Sequence, residues 1–356
     1  MKYCVGIEIG GTKLQIGLAR CDQPALDTLV RERVQPSAGA AAIRQQIATA
    51  LPRLLEQRRL TRSDLAGVGI GFGGPVDAAR GLTLVSHQVQ GWEEFPLVEW
   101  VRDTLQVPAV VQNDADTAAL AEARYGAGSG FDPVLYVTVG SGIGGGLIVG
   151  GRIYRGNGGG AVEIGHLRPG HLPRHLPLSG VTVESIASGF GIAARARRAI
   201  ADWEGTVAYA RSQWRASSPL RTAVDPEFQE RMSPGRNRFA RLLQLAGSDP
   251  QAITTEMIAQ AATEGDLLSL ELLSDATYAI GWALAQAVTL LNPARIVIGG
   301  GVSLIGEELF FEPVRRACQA HVFEPFASSL EIVPAALGEE VVVHGAIALA
   351  IDAFET

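Results

Sequence analysis

Two segments of this chain carry the same punctuation: an apolar strand, a run of glycines and a second strand. The first runs from Tyr3 to Ala19, with Gly10-Gly11-Thr12-Lys13 at its turn. The second begins at Val134, passes a glycine turn expected over Gly140 to Gly146, and returns from Leu147 to Val149. Apolar runs bounded by glycines predict strands. Their recurrence about 130 residues apart predicts a duplicated α/β domain. The other reading is that glycine turns simply recur in an α/β chain, since the residues of the two hairpins match poorly.

The 356 residues are enough for two domains, each with its own core. Apolar periodicity predicts a helix from about Ala40 to Arg59. A strand is expected over Asp64 to Gly71, stopped by Gly73-Gly74-Pro75, and another over Ala109 to Gln112. An Ala-rich helix follows Asp114 and runs through Ala123. Helices dominate from Ser188, with one more strand, Arg295 to Ile298, before Gly299-Gly300-Gly301. The segment from about 202 to 251 has weak periodicity and reads as a solvated helical insertion.

Several function classes are excluded by what the chain contains. A net charge of -7 without a dense Lys/Arg run argues against a nucleic-acid partner. The apolar start is broken by Glu8, so it is no secretory signal. Ile280 to Leu291 is too short to span a bilayer and contains Gln286, so no membrane association is expected. Cys4, Cys21 and Cys318 have neither zinc-ligand spacing nor a disulfide pattern, and the expected compartment is the reducing cytoplasm.

Chemistry concentrates in the turns. Successive backbone N–H groups at Gly10-Gly11-Thr12-Lys13 form an anion-binding nest, with Lys13 adding charge and Glu8 able to hold magnesium through water. An ordinary hairpin turn with a surface lysine is the alternative. Gly140, Gly142 and Gly145 match a dinucleotide fingerprint, with Glu163 at a distance that suits a ribose contact. That reading fails because such a turn must open a helix. The segment from Leu147 to Val162 holds six more glycines, each costing about 1 kcal/mol in a helix. The P-loop and nucleophile-elbow patterns are absent. Asn113-Asp114 lies where a strand meets a helix, at the crevice where α/β proteins bind ligands. There Asp114 either takes a proton from an attacking hydroxyl or, like Asp116, only caps the helix. Glu163, His166 and Glu184 suit a polyhydroxyl ligand. His166, His171 and His175 read either as solvated loop residues or as metal ligands.

In this order and spacing the motifs resemble the ROK family of sugar kinases and sugar-responsive repressors, from about Tyr3 to Ala350 apart from the irregular segment. The likeness rests on Gly10 to Lys13, Gly73-Gly74-Pro75-Val76-Asp77, Asn113-Asp114-Ala115-Asp116 and Thr138 to Gly146. It continues through Glu163-Ile-Gly-His166, Glu184 with Ala187-Ser188-Gly189, Asn292-Pro293, and Gly299 to Gly301.

The resemblance implies an actin-like ATPase fold of class α/β, with two RNase H-like domains and a cleft between them. The lobes would comprise residues 1–117 with 338–356, and residues 118–337. It implies an ATP-dependent, magnesium-assisted hexose kinase, glucokinase-like, acting as a homodimer. ATP would lie on Gly10, Gly11, Thr12, Lys13, Thr138, Gly140, Ser141, Gly142, Gly299, Gly300 and Gly301. The sugar would be held by Gly74, Asn113, Asp114, Glu163, His166 and Glu184, with Asp114 as the base. Fructose, mannose or an N-acetylated amino sugar would use the same machinery, and a non-catalytic sugar sensor is the competing class. The chain departs from the family in three ways. Glu8 stands where an Asp is commoner. His175, Pro177 and Thr182 replace the family's zinc cysteines, so no zinc is expected. No helix-turn-helix precedes the first hairpin, so no DNA-binding role is expected.

Overall fold

A computed structural model of the chain describes residues 2–86, 88–169, 181–217 and 238–355. Its first sheet is ordered β3-β2-β1-β4-β7, from β1 (Tyr3–Ile9), β2 (Lys13–Arg20), β3 (Gln23–Arg33), β4 (Leu65–Phe72) and β7 (Ala109–Asn113). Its second is ordered β10-β9-β8-β11-β12, from β8 (Val134–Val139), β9 (Ile143–Val149), β10 (Arg152–Ile153), β11 (Arg295–Gly299) and β12 (Ile332–Pro334). Each sheet has an antiparallel hairpin whose first strand pairs in parallel with a later one, β4 for β1 and β11 for β8. The same topology therefore occurs twice, as the paired hairpins predict. A small third sheet joins β5 (Val76–Asp77) to β6 (Leu82–Thr83).

β1 is buried on both faces because helices cover both. Val5, Ile7 and Ile9 pack in one core with Ile43, Ile47 and Leu54 of α1 (Gly39–Gln57). Cys4, on the opposite face, packs with Val343, Ile347 and Ala350 of α10 (Val341–Phe354). The helix α3 (Asp114–Tyr125) leaves the end of β7 and packs on β8 and β9 of the second sheet. α10 lies against α3 as well as β1 and β4. These two helices link the sheets.

The helices α4 (Val183–Ala187), α5 (Gly189–Ser217), α6 (Ala240–Leu245), α7 (Thr255–Thr263) and α8 (Leu267–Leu291) build the larger core with β8 and β11. Trp203, within the irregular segment, meets Phe239 edge-on at 5.2 Å and packs against this core. Residues 218–237 of that segment, along with His171, His175 and Pro177, lie outside the described residues. Among the described residues, no helix is long and apolar enough to cross a membrane.

Candidate active site

The first hairpin places Glu8 and Lys13 beside one another. The Gly10 N–H donates to the Lys13 carbonyl at 3.0 Å, which closes the turn and brings the two strand ends together. Lys13 Nζ lies 3.2 Å from Glu8 Oε1 and also donates to the backbone carbonyl of Glu339 at 3.1 Å. Glu8 is buried, and burial pushes its carboxyl up to about 7 despite the nearby lysine. Its Oε2 receives no hydrogen bond from the protein. An oxygen of this kind on a cavity wall fits a hydrated magnesium ion, which keeps several of its waters when bound.

Asp114 opens α3, but Asn113 is the residue that caps it. Asn113 Oδ1 accepts from the N–H groups of Ala115 at 2.9 Å and Asp116 at 3.3 Å, as an N-cap should. Asn113 Nδ2 donates to the Gly74 carbonyl at 3.0 Å, holding the two candidate sugar-site residues together. Asp114 accepts from Ala115 N–H at 2.8 Å and lines the same cavity as Glu8. Burial raises its carboxyl to about 6 against the pull of that amide, and the Glu163 charge adds to the rise. Asp116 does not reach this cavity wall; it turns to Gln112, whose Nε2 donates to its Oδ2 at 3.0 Å.

The second hairpin turns on Gly140, Ser141 and Gly142 alone. Gly144 to Gly146 belong to β9, contrary to the longer turn the sequence suggested. The reason is helix packing: a Cβ on Gly146 would stand 2.7 Å from Ala119 Cβ and 3.0 Å from Asp116 Cα. These glycines let α3 lie close on the strand. The turn is braced from α4 and α5. Glu184 Oε2 accepts from Ile143 N–H at 2.7 Å, and Gly189 N–H donates to the Gly140 carbonyl at 2.7 Å.

β11 ends in Gly299, and Gly300 follows with φ +88, where a Cβ would meet the Val139 carbonyl at 2.5 Å. A cavity of about 440 Å³ lies where the strand ends of the first hairpin and the start of α3 face the Gly299–Gly301 turn. Glu8, Lys13, Asp114, Thr138 and Gly299 to Gly301 all border it. Gly10, Gly11, Thr12, Gly140, Ser141 and Gly142 sit in the turns rather than on its wall. Gly74, Asn113 and Glu184 also lie off the wall, tied to the backbone. Glu163 and His166 are exposed and 3.9 Å apart. Among the described residues, no three His, Cys, Asp or Glu side chains group as a metal centre.

Sequence reading missed Leu304 and Tyr136, which line the cavity, and Gln15, opposite Glu8 in the β1–β2 pair. For Gln15 a signal was present: strand alternation puts it on the same face as Lys13. No local pattern marks the Glu339 carbonyl, because it arrives from 326 residues away.

The same sheet topology built twice, with a cavity where the first hairpin faces the Gly299–Gly301 turn, defines the class: this is the actin-like ATPase architecture. The sequence model of the ROK family matches residues 4–353. The chain is 30% identical over 348 residues to a glucokinase of Halalkalibacterium halodurans, covering 97% of this chain and 93% of that one. It is also 30% identical over 356 residues to a glucokinase of Streptomyces coelicolor, covering 98% of each. Among solved structures, a ROK family glucokinase from Streptomyces griseus in complex with glucose and AMPPNP superposes with a TM-score of 0.73 at 28% identity. That match covers 98% of this chain and 99% of that one. The chain belongs to the ROK family.

Proposed function

We propose that this protein is a sugar kinase that transfers the γ-phosphoryl group of ATP to a hydroxyl of a hexose, glucose first among the candidates. The observation that carries the reading is the cavity shared by Asp114, Glu8, Lys13 and the Gly299–Gly301 turn. A carboxyl raised to about 6 shares this wall with Lys13, Thr138 and Gly299–Gly301 of the candidate ATP site, which supports the reading. The glucokinase relatives, and the glucose and AMPPNP bound in the Streptomyces griseus enzyme, support this choice of acceptor and donor.

In this mechanism Asp114 accepts the proton of the attacking hydroxyl as its oxygen adds to phosphorus and the β–γ bridge oxygen departs with ADP. A base of this pKa is ionised at neutral pH. Lys13 and the backbone N–H groups of both glycine turns hold the phosphates. Magnesium, when bound, would be held through water by Glu8 and would neutralise phosphate charge. The rest of catalysis is positioning and electrostatic stabilisation. Gly74, Asn113, Glu163, His166 and Glu184 would orient the sugar, Asn113 by fixing Gly74 and Glu184 through the second turn. The small lobe, 1–117 with 338–356, would close on the large lobe, 118–337, about α3 and α10. The free thiols Cys4, Cys21 and Cys318 suit a reducing cytoplasm.

The test is ADP release coupled to a panel of glucose, fructose, mannose and N-acetylated amino sugars with Mg-ATP. Turnover on at least one hexose is expected. Absence of turnover on every sugar, alongside normal binding of one of them, would favour a sensor instead.

A further inference from the structure

Among the described residues, four buried side-chain atoms have no hydrogen-bond partner: Glu8 Oε2, Gln15 Oε1, Asp116 Oδ1 and Arg197 Nε. Two of them are cross-strand neighbours. Glu8 and Gln15 are directly opposed in the antiparallel β1–β2 pair, which puts their Cβ atoms roughly 4.5–5.5 Å apart on one face of the sheet. Lys13 shares that face, two residues before Gln15. The donors there are already directed elsewhere. Lys13 Nζ serves Glu8 Oε1 and the Glu339 carbonyl. Gln15 Nε2 donates to that same carbonyl at 3.4 Å, which sets the amide's orientation and leaves its oxygen as the unpaired atom. Two cross-strand partners at the root of the first hairpin therefore each carry an acceptor without a protein donor. Gln15 itself is wholly buried, behind the cavity wall.

With Glu8 ionised, as it must be to hold a cation, the two oxygens cannot satisfy one another, and leaving both unpaired in a buried place is costly. Water is the species whose chemistry answers this, since one molecule can donate a proton to each of two acceptors. We propose that Gln15 is a positioning residue of the kinase site. In this arrangement one water donates to both Glu8 Oε2 and Gln15 Oε1 and so fixes the Glu8 carboxylate in the orientation from which it holds the hydrated cation. The inference rests on the kinase reading above. The water is either a permanent buried one or a member of the cation's own hydration shell, and both supply the same two hydrogen bonds.

The test uses the full chain with ADP, and Mn²⁺ as a paramagnetic probe whose binding is followed by electron paramagnetic resonance. Gln15→Met keeps the length of the side chain and removes its polar atoms. It is expected to weaken Mn²⁺ binding roughly fivefold to tenfold, the loss of about one hydrogen bond, while the thermal shift produced by glucose alone stays as in the native protein. Gln15→Glu retains an acceptor and is expected to bind Mn²⁺ at least as tightly as the native chain. Native affinity in Gln15→Met, or a fivefold loss in Gln15→Glu, would overturn the proposal, the latter by tracing the effect to the amide N–H on Glu339. High-resolution crystals separate the two sources. Density between the two oxygens without metal marks a resident water, density only with Mg-nucleotide marks the hydration shell, and density in neither contradicts the inference. A native protein that binds no Mn²⁺ with ADP would contradict the kinase reading itself, a failure distinct from any difference between native and Gln15 variants.

Discussion

Asn113 Nδ2 reaches across from β7 to the Gly74 carbonyl at 3.0 Å while its Oδ1 caps α3. One side chain thus fixes the loop after β4, starts the helix, and leaves the next residue, Asp114, to face the cavity. Replacing Asn113 with Ala removes the cap and is expected to cost about 1–2 kcal/mol of stability. Asn113→Asp keeps the capping oxygen and should recover most of that loss. Thermal or urea denaturation of the three proteins checks this.

Close packing of α3 on β9 gives a second expectation. Gly146→Ala would press a methyl group against Ala119 and the α3 backbone. Overpacking of this kind costs about 1–3 kcal/mol. Because Asp114 heads the same helix, kcat should fall along with the melting temperature. A variant that melts lower but turns over normally would show that α3 absorbs the methyl without moving its N-terminus.

Those glycines also show how far the sequence could be read. The two hairpins, the strand ending at Asn113 and the helix after it are legible because glycine runs and apolar alternation are local signals. The division of Gly140–Gly146 into turn and strand is not local. It is set by the close approach of α3, a contact between segments that only the fold brings together. β3 was missed for a related reason: it is an edge strand, half-exposed along its length, so its polar residues hide the pattern. The family resemblance named the candidate sugar residues, but nothing in the sequence shows that Glu184 is tied to Ile143 or that Asn113, not Asp114, is the cap.

Glu184 offers a third test. Its carboxylate holds the N–H of Ile143 immediately after the second glycine turn. Glu184→Ala leaves that donor without its charged partner and should cost about 1–3 kcal/mol. The KM for ATP should rise, because the turn that is expected to carry phosphate loses a brace. Glu184→Gln can still accept from Ile143 through its amide oxygen and should lie between the two. Steady-state kinetics with ATP varied at saturating sugar resolves the difference.

The pH dependence follows from burial. Asp114 is raised to about 6 in the folded protein from 3.8, so folding favours its protonated form. The stabilising contribution of that form is full below the unfolded value and is lost as pH rises through about 6. Asp114→Asn, which cannot ionise, should therefore melt higher than the native protein at pH 8, and the gap should close by pH 4. Activity runs the other way. The base must be ionised, so kcat/KM should climb as pH rises through about 6. Glu8, raised to about 7, regains its charge over a neighbouring range and should strengthen Mg-nucleotide binding there. Melting curves and pH–rate profiles check the two trends separately.

The account turns on Asp114 as proton acceptor, and the most direct measurement is the turnover of Asp114→Asn with Mg-ATP and the best hexose of the panel. General-base catalysis is worth about 10²–10⁴ in rate, so kcat should fall at least a hundredfold while the sugar still produces a thermal shift. Turnover within a few-fold of native would contradict the mechanism.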